Sequence, residues 1–288
     1  GTQVLTPENV SYRRYAEDTT RFCSEFGLHA SPVVETLRRA VPEDQLYHHS
    51  PAMDWHNKDN PKNKGDMLME SVTGVPDNLE DYIDFSQIAQ AEGVIFGIEH
   101  FRRRTPHCSG ALVWQMNDCW PVQSWSVMDY YGFGKAGYFY LRRVFHPVLA
   151  SFKGTDDGVE LWITNDSLEH IRDEVTVTLG TFRGEVIEEK VLSVDVPPTT
   201  SMKVEAWPAD IAGNDRYLRA ESGSGVFYDN RHFFVDFKDL DRVPVEPSVA
   251  KRQVDDHVVE VTLTAPEDGY CWFVHLQRPV AETRYSDN

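Results

Sequence analysis

Positive charge is scarce in this chain. Twenty-eight Lys and Arg stand against 46 Asp and Glu in 288 residues, a net charge of −18. Nucleic acid and anionic membranes both select clustered cations, so neither is expected as the main partner. The one compact basic run, Arg102 to Arg104, closes a helical pattern and reads as cations favoured at a helix C-terminus. Cysteine is scarce too. Cys23, Cys108, Cys119 and Cys271 form no CxxC pair and no zinc spacing, and read as reduced, buried thiols. Cys23 and Cys119 are expected to pack at strand ends. No apolar run approaches the ~20 residues of a membrane span. The opening residues lack the charged and apolar regions of a secretory leader. Together with the unpaired cysteines, this leans towards a cytoplasmic protein, although a leader upstream of Gly1 would not be visible. Glycine-rich phosphate loops, GxSxG and Cys/His nucleophile pairs are missing, and no cofactor is implied. Asn-x-Ser/Thr triplets at Asn9 and Asn165 are too common by chance to place the chain in a compartment.

What is present is a core-forming composition, 41% hydrophobic and 12% aromatic, enough for more than one folded unit. The chain reads as multidomain, α/β followed by all-β. Over residues 1–148 short buried strands alternate with helices. Strands are expected at Thr20 to Phe26 and at Gly110 to Met116. Helices are expected over Pro32 to Ala40 with Ser31 as N-cap, over Asn78 to Arg104 with a break near Ser86, and over Lys135 to Phe145. Residues 50–66, rich in Pro, Asn and charge, read as one long loop. Parallel strands joined through helices suggest an α/β barrel or an open α/β sheet. Over 149–240 the helices give way to short alternating strands at regular spacing, the pattern of an immunoglobulin-like β-sandwich. Val243 to Pro247 is a linker. Residues 241–288 give at least three further strands between Val249 and Gln277, too short a piece for a second complete sandwich.

Two strand ends carry the chemistry. Arg21-Phe-Cys-Ser-Glu25-Phe-Gly27 places a carboxylate where an apolar strand stops. Gly110-Ala-Leu-Val-Trp-Gln-Met-Asn-Asp-Cys-Trp-Pro121 ends in a cluster of Trp114, Asn117, Asp118 and Trp120, with Trp125 just beyond. A carboxylate that attacks an anomeric carbon and aromatic faces that stack on a sugar ring are what glycoside cleavage requires. The bland readings stay open beside this one: Glu25 capping a turn or pairing with an Arg, and the tryptophans bracing the unit against the next. Trp55 and His56, in the loop His48 to Asn57, are candidate sugar contacts. The histidines of that loop lack any HxxxH order, so no metal is expected there.

Taken together, these residues resemble glycoside hydrolase family 2, and within it the β-mannosidases. Phe22 to Gly27 is similar to that family's seventh barrel strand, which bears the nucleophile. Gly110 to Pro121, with Ser124 to Ser126 and Asp129 to Tyr131, is similar to the eighth strand and its loop. Gly137 to Tyr140 and Pro147 to Leu149 resemble the last barrel helix and the exit into the sandwich. The resemblance implies the C-terminal part of a (β/α)8 TIM barrel followed by immunoglobulin-like sandwiches. It implies a retaining exo-β-glycosidase acting on oligosaccharides, with Glu25 as nucleophile, Trp114 as a wall of the mannose subsite, and Asn117, Asp118 and Trp120 in support. The departure from the family is equally plain. Retention needs two carboxylates ~5 Å apart, and no Asn-Glu pair after a buried strand precedes Glu25. About 150 residues cannot build a barrel of ~250. The expectation is therefore a piece of a longer enzyme, nearly inactive alone, whose partner is its own missing N-terminal part. The alternatives are another exo-β-glycosidase of the family, a β-glucuronidase or exo-β-glucosaminidase, or a non-catalytic carbohydrate-binding module using Trp162, Trp207 or Trp272.

Overall fold

The computed structural model describes residues 5–276, 283, 285 and 286. In the first part, strands β1 (Cys23–Phe26) and β2 (Ala111–Val113) form a two-stranded parallel sheet, with Cys23 opposite Ala111 and Phe26 opposite Val113. Around it lie α1 (Pro7–Val10), α2 (Val34–Ala40), α3 (Pro51–Trp55), α4 (Lys64–Glu70), α5 (Leu79–Arg103) and α6 (Ala136–Val144). Parallel neighbours need a long crossover. Here it contains α5, whose Tyr82, Ala89, Val94, Ile98 and Phe101 recur at helical spacing and fill one core with Phe26 and Leu28.

Three expectations need correction. Helix α5 runs unbroken through Ser86. That hydroxyl donates to the Ile83 carbonyl within the helix and accepts from the Ser31 amide, so the residue is spent on packing rather than on a break. The segment 50–66 is not one loop. Ser50 Oγ accepts from the Met53 amide, and Pro51 starts α3 at a position where its missing N–H costs nothing; α4 follows a second turn. Helix α2 begins at Val34 with Val33, not Ser31, at its cap, because Ser31 Oγ bonds the Pro32 carbonyl instead.

The second part is a seven-stranded antiparallel sandwich. One sheet has the order β3-β4-β7, with β3 (Val148–Thr155), β4 (Gly158–Asn165) and β7 (Thr200–Pro208). The other has the order β6-β5-β8-β9, with β5 (Ile171–Thr181), β6 (Val186–Val196), β8 (Arg216–Ser222) and β9 (Asn230–Phe233). Alternation explains it: Val175, Val177 and Leu179 of β5, with Leu218 beside them on β8, pack in one core with Leu161 and Ile163 of the other sheet, while Glu174, Thr176 and Thr178 between them turn away. Strand β3 begins at Val148, directly after α6, and its tight turn needs Gly158 at φ 143°. A Cβ there would lie 2.0 Å from the Trp207 carbonyl oxygen. Beyond the sandwich, β10 (Ser248–Gln253) and β11 (Val259–Thr264) form one exposed hairpin. The third strand expected up to Gln277 is not formed among the described residues. Tyr270 and Trp272 instead fold back, Trp272 stacking on Phe237 at 4.0 Å.

The two parts are joined by buried arginines. Arg102 donates to the carbonyls of Val144 (2.5 Å), His146 (2.7 Å) and Pro147 (3.0 Å), and pairs with Asp166. Arg103 reaches Glu99 and the Phe152 carbonyl. Two of the three cations of the basic run thus fasten helix α5 to the start of the sandwich, while Arg104 donates to the Thr20 carbonyl. Asn165 is buried and donates to three carbonyls, at Glu169, Val196 and Pro197. It is a turn-forming side chain.

Candidate active site

Glu25 and Trp114 come together through the sheet. Both lie at the C-terminal ends of neighbouring parallel strands, the end where α/β barrels place their chemistry. The Trp114 amide donates to the Phe26 carbonyl at 2.7 Å, and the Trp114 carbonyl oxygen lies so close to Gly27 that an added Cβ would sit 1.7 Å from it. Only glycine after Glu25-Phe26 permits this approach. Glu25 is exposed, and the Trp114 ring is 49% exposed. An exposed carboxylate and an exposed indole therefore stand at neighbouring strand ends.

Beyond Trp114 the chain doubles back. The amides of Gln115 and Val127 pair with the carbonyls of Trp125 and Gln115, and Asn117 bridges Met128. At the base of this turn Asp118 is buried. It accepts from Lys58 Nζ (3.0 Å), Gln115 Nε2 (3.1 Å) and the hydroxyls of Ser124 and Ser126. Four side chains meet on one carboxylate, so Asp118 fixes the loop from beneath. Asn117 is exposed and its side chain donates to the Asp118 carbonyl. Trp120 tilts against His56 at 5.2 Å between ring centroids, and His56 Nδ1 donates to the Pro121 carbonyl at 2.6 Å. His56 and Trp120 thus form one aromatic wall. Trp55 does not join it: it is 75% exposed and stacks on no ring among the described residues. Cys119 is exposed, which corrects the expectation that it packs a strand end; Cys23 does pack there, buried beneath the sheet.

Sequence reasoning missed a second layer under the rim. Lys135 is fully buried between the carbonyls of Ala30 (3.1 Å) and Ser124 (3.3 Å), and burial pushes its ammonium down to about 8. His29 is buried beside Asp59 at 3.6 Å, and burial lowers the imidazole below its ordinary value. A buried Lys at a helix cap or a buried His beyond a strand end gives no signal in hydrophobic periodicity, so neither was legible.

The histidine loop has a partner outside itself. His48 Nε2 lies 2.9 Å from Asp66 Oδ1, and His49 Nε2 lies 2.7 Å from Asp66 Oδ2. The third ligand-type residue comes from α4, so no spacing within the loop could reveal the cluster.

A cleft of about 680 Å³ lies elsewhere, between α5, α6 and the sandwich, and contains none of the strand-end residues. Two ion pairs line it, Arg231 with Glu92 and Arg13 with Asp236. The binding-module alternative fares poorly on the sandwich. Trp207 is buried, and Trp162 and Trp272 are partly buried, Trp162 donating to Glu160.

Comparison with known proteins relates the chain to β-mannosidases. Residues 157–239 match the protein-family model for the Mannosidase Ig/CBM-like domain. Beta-mannosidase B of Aspergillus terreus is 32% identical over 196 residues, 61% of this chain and 23% of that protein. Beta-mannosidase B of Aspergillus flavus is 38% identical over 134 residues, 44% of this chain and 16% of that protein. The chain therefore spans about a quarter or less of the curated relatives it matches. The crystal structure of the β-D-mannosidase from Dictyoglomus thermophilum superposes with a TM-score of 0.83 at 27% identity, covering 90% of this chain and 32% of that one. An exo-chitosanase from Amycolatopsis orientalis shares the fold, with a TM-score of 0.68 at 16% identity over 91% of this chain and 36% of that one.

Proposed function

We propose that this chain, β-mannosidase-like in sequence and fold, supplies the nucleophile side of a retaining exo-β-glycosidase of glycoside hydrolase family 2. The observation that carries the reading is the pairing of an exposed carboxylate, Glu25, with an exposed indole, Trp114, on adjacent parallel strand ends. Glu25 attacks the anomeric carbon of a terminal β-mannose and forms a glycosyl-enzyme. An acid/base carboxylate protonates the departing oxygen and then activates water. Trp114 offers the apolar face of the sugar a stacking surface. Asp118, held by Lys58 and two serines, keeps the Trp114–Trp120 loop in place without touching substrate.

The acid/base group and the remaining strands of a (β/α)8 barrel come, in this reading, from a longer protein. Leu112, in the middle of β2, is 55% exposed, where a barrel strand would be covered by its neighbours. The chain alone should be inactive or nearly so, because loss of a general acid costs ~10²–10⁴-fold.

The test is intact-mass analysis after incubation with 2-deoxy-2-fluoro-β-mannosyl fluoride. Fluoride departs without an acid, so the missing carboxylate does not prevent labelling. The expected result, on the chain joined to the upstream part of a homologous β-mannosidase, is a stable adduct on Glu25 that Glu25→Gln abolishes. Labelling only by the glucosyl analogue would move the specificity to another exo-β-glycosidase of the family. No adduct with either sugar would overturn the glycosidase reading.

A further inference from the structure

We propose that His48, His49 and Asp66 form a binding site for a divalent transition-metal ion of zinc type, which clamps the loop before α3 onto α4. The donor atoms of the three side chains lie within 4.8 Å of one another. The two Nε2 atoms each address a different oxygen of the same carboxylate, at 2.9 and 2.7 Å. Ligand atoms around a tetrahedral zinc with bonds of ~2.0–2.1 Å stand about 3.3 Å apart. The two nitrogen–oxygen separations fall only a few tenths of an ångström short of that spacing. Two imidazoles and one carboxylate leave one position for water, and the nitrogen donors favour zinc-like ions over magnesium or calcium.

The surroundings fit a prepared site rather than a chance meeting. The His48 ring lies between the rings of His49 and Tyr82, each at 3.8 Å, which fixes its orientation. His49 Nδ1 faces Asp54 Oδ1 at 2.9 Å. A carboxylate behind a ligating imidazole sets the tautomer and orients the ring, as outer partners do at metal centres. Two carboxylates serve two imidazoles that must be neutral to ligate, so a divalent cation balances the charge of the cluster. Tyr82 donates to Gln123, whose amide nitrogen bonds the Met53 carbonyl and whose backbone N–H bonds the His56 carbonyl. The clamp is thereby continuous with the loop that presents Trp55 and His56.

The experiment is zinc titration of the full chain, stripped of metal by chelator, against a chromophoric competitor, with Co²⁺ spectroscopy on the same sample. One equivalent should bind, and Co²⁺ should give the intense visible bands of a four-coordinate nitrogen/oxygen site. Asp66→Asn and His48→Gln should each abolish that equivalent, and Asp54→Asn should weaken it about tenfold. The Co²⁺ spectrum needs no variant, so a misfolded mutant does not decide the outcome. Absence of a stoichiometric equivalent in the unsubstituted chain, an octahedral Co²⁺ spectrum, or binding unchanged in Asp66→Asn would each overturn the proposal. Any of these would leave a hydrogen-bonded His–Asp network.

Discussion

Asp118 shows what a single position can and cannot disclose. Its company in sequence, between Trp114 and Trp120, marks it as part of a site. Its role depends on Lys58, Ser124 and Ser126, which reach it from other segments. Buried carboxylates that collect this many donors are costly to remove, because each donor is left unsatisfied. Asp118→Ala should lower unfolding free energy by roughly 3 kcal/mol, read from the urea midpoint at constant slope. A sugar-contacting but structurally idle carboxylate would leave the midpoint unchanged. Glu25 and Trp114 could be singled out as candidates because short apolar strands ended at them. Gly27 completes the pair through a contact with Trp114 that sequence does not reveal. Gly27→Ala should separate the two strand ends and abolish labelling of Glu25 in the joined protein, with the carboxylate itself intact. Labelling at the normal rate would mean that the close approach is not needed for the site.

Helix α5 carries the same lesson at the scale of an element. Its apolar spacing is plain in sequence; its cap, Asn78 accepting from the Asp81 amide, comes from the structure. Its buried polar residues are not plain, since Ser86 and Gln90 look like interruptions until their partners are known. Gln90 Nε2 donates to the carbonyls of Leu28 (2.9 Å) and Ser126 (3.0 Å), tying the continuation of β1 to the loop after β2. Gln90→Leu keeps the volume and strands both carbonyls in a dry core. The cost should be ~1–3 kcal/mol, with faster hydrogen exchange at the amides of residues 28–30 and 124–127. Unchanged exchange there would show that the helix, and not this side chain, holds the two segments. Strand β6 reads more simply. Glu188, Glu189 and Lys190 lie on a strand at the end of its sheet, where charge discourages pairing with another molecule.

Across the whole molecule, the helical part and the sandwich share a buried polar junction, and acid should find it first. His232 of β9 is packed between Phe152 and Phe234, at 6.0 and 5.3 Å. Burial holds its imidazole down to about 4, and the nearby charges of Arg13, Arg231 and Arg103 act in the same direction. Between pH ~4 and ~6.5 the unfolded chain binds a proton at this position that the native chain refuses, so stability rises with pH across that window. The contribution is complete above ~6.5, is lost as pH falls towards 4, and amounts to at most about 3 kcal/mol. His29 works in the same direction and His49 in the opposite one, so the whole profile is no test of one residue. The difference between variants is. His232→Phe preserves the aromatic packing and removes the titration. Thermal melts at pH 7 and pH 4.5 should show a smaller loss for His232→Phe than for the unsubstituted chain. Equal losses would place the acid sensitivity elsewhere, with His29 the next candidate. None of this was legible beforehand, because the Arg231–His232 pair sits in a four-residue strand with no alternation of burial to mark it. Only the fold brings Arg13 and Arg103 from the helical part to face it.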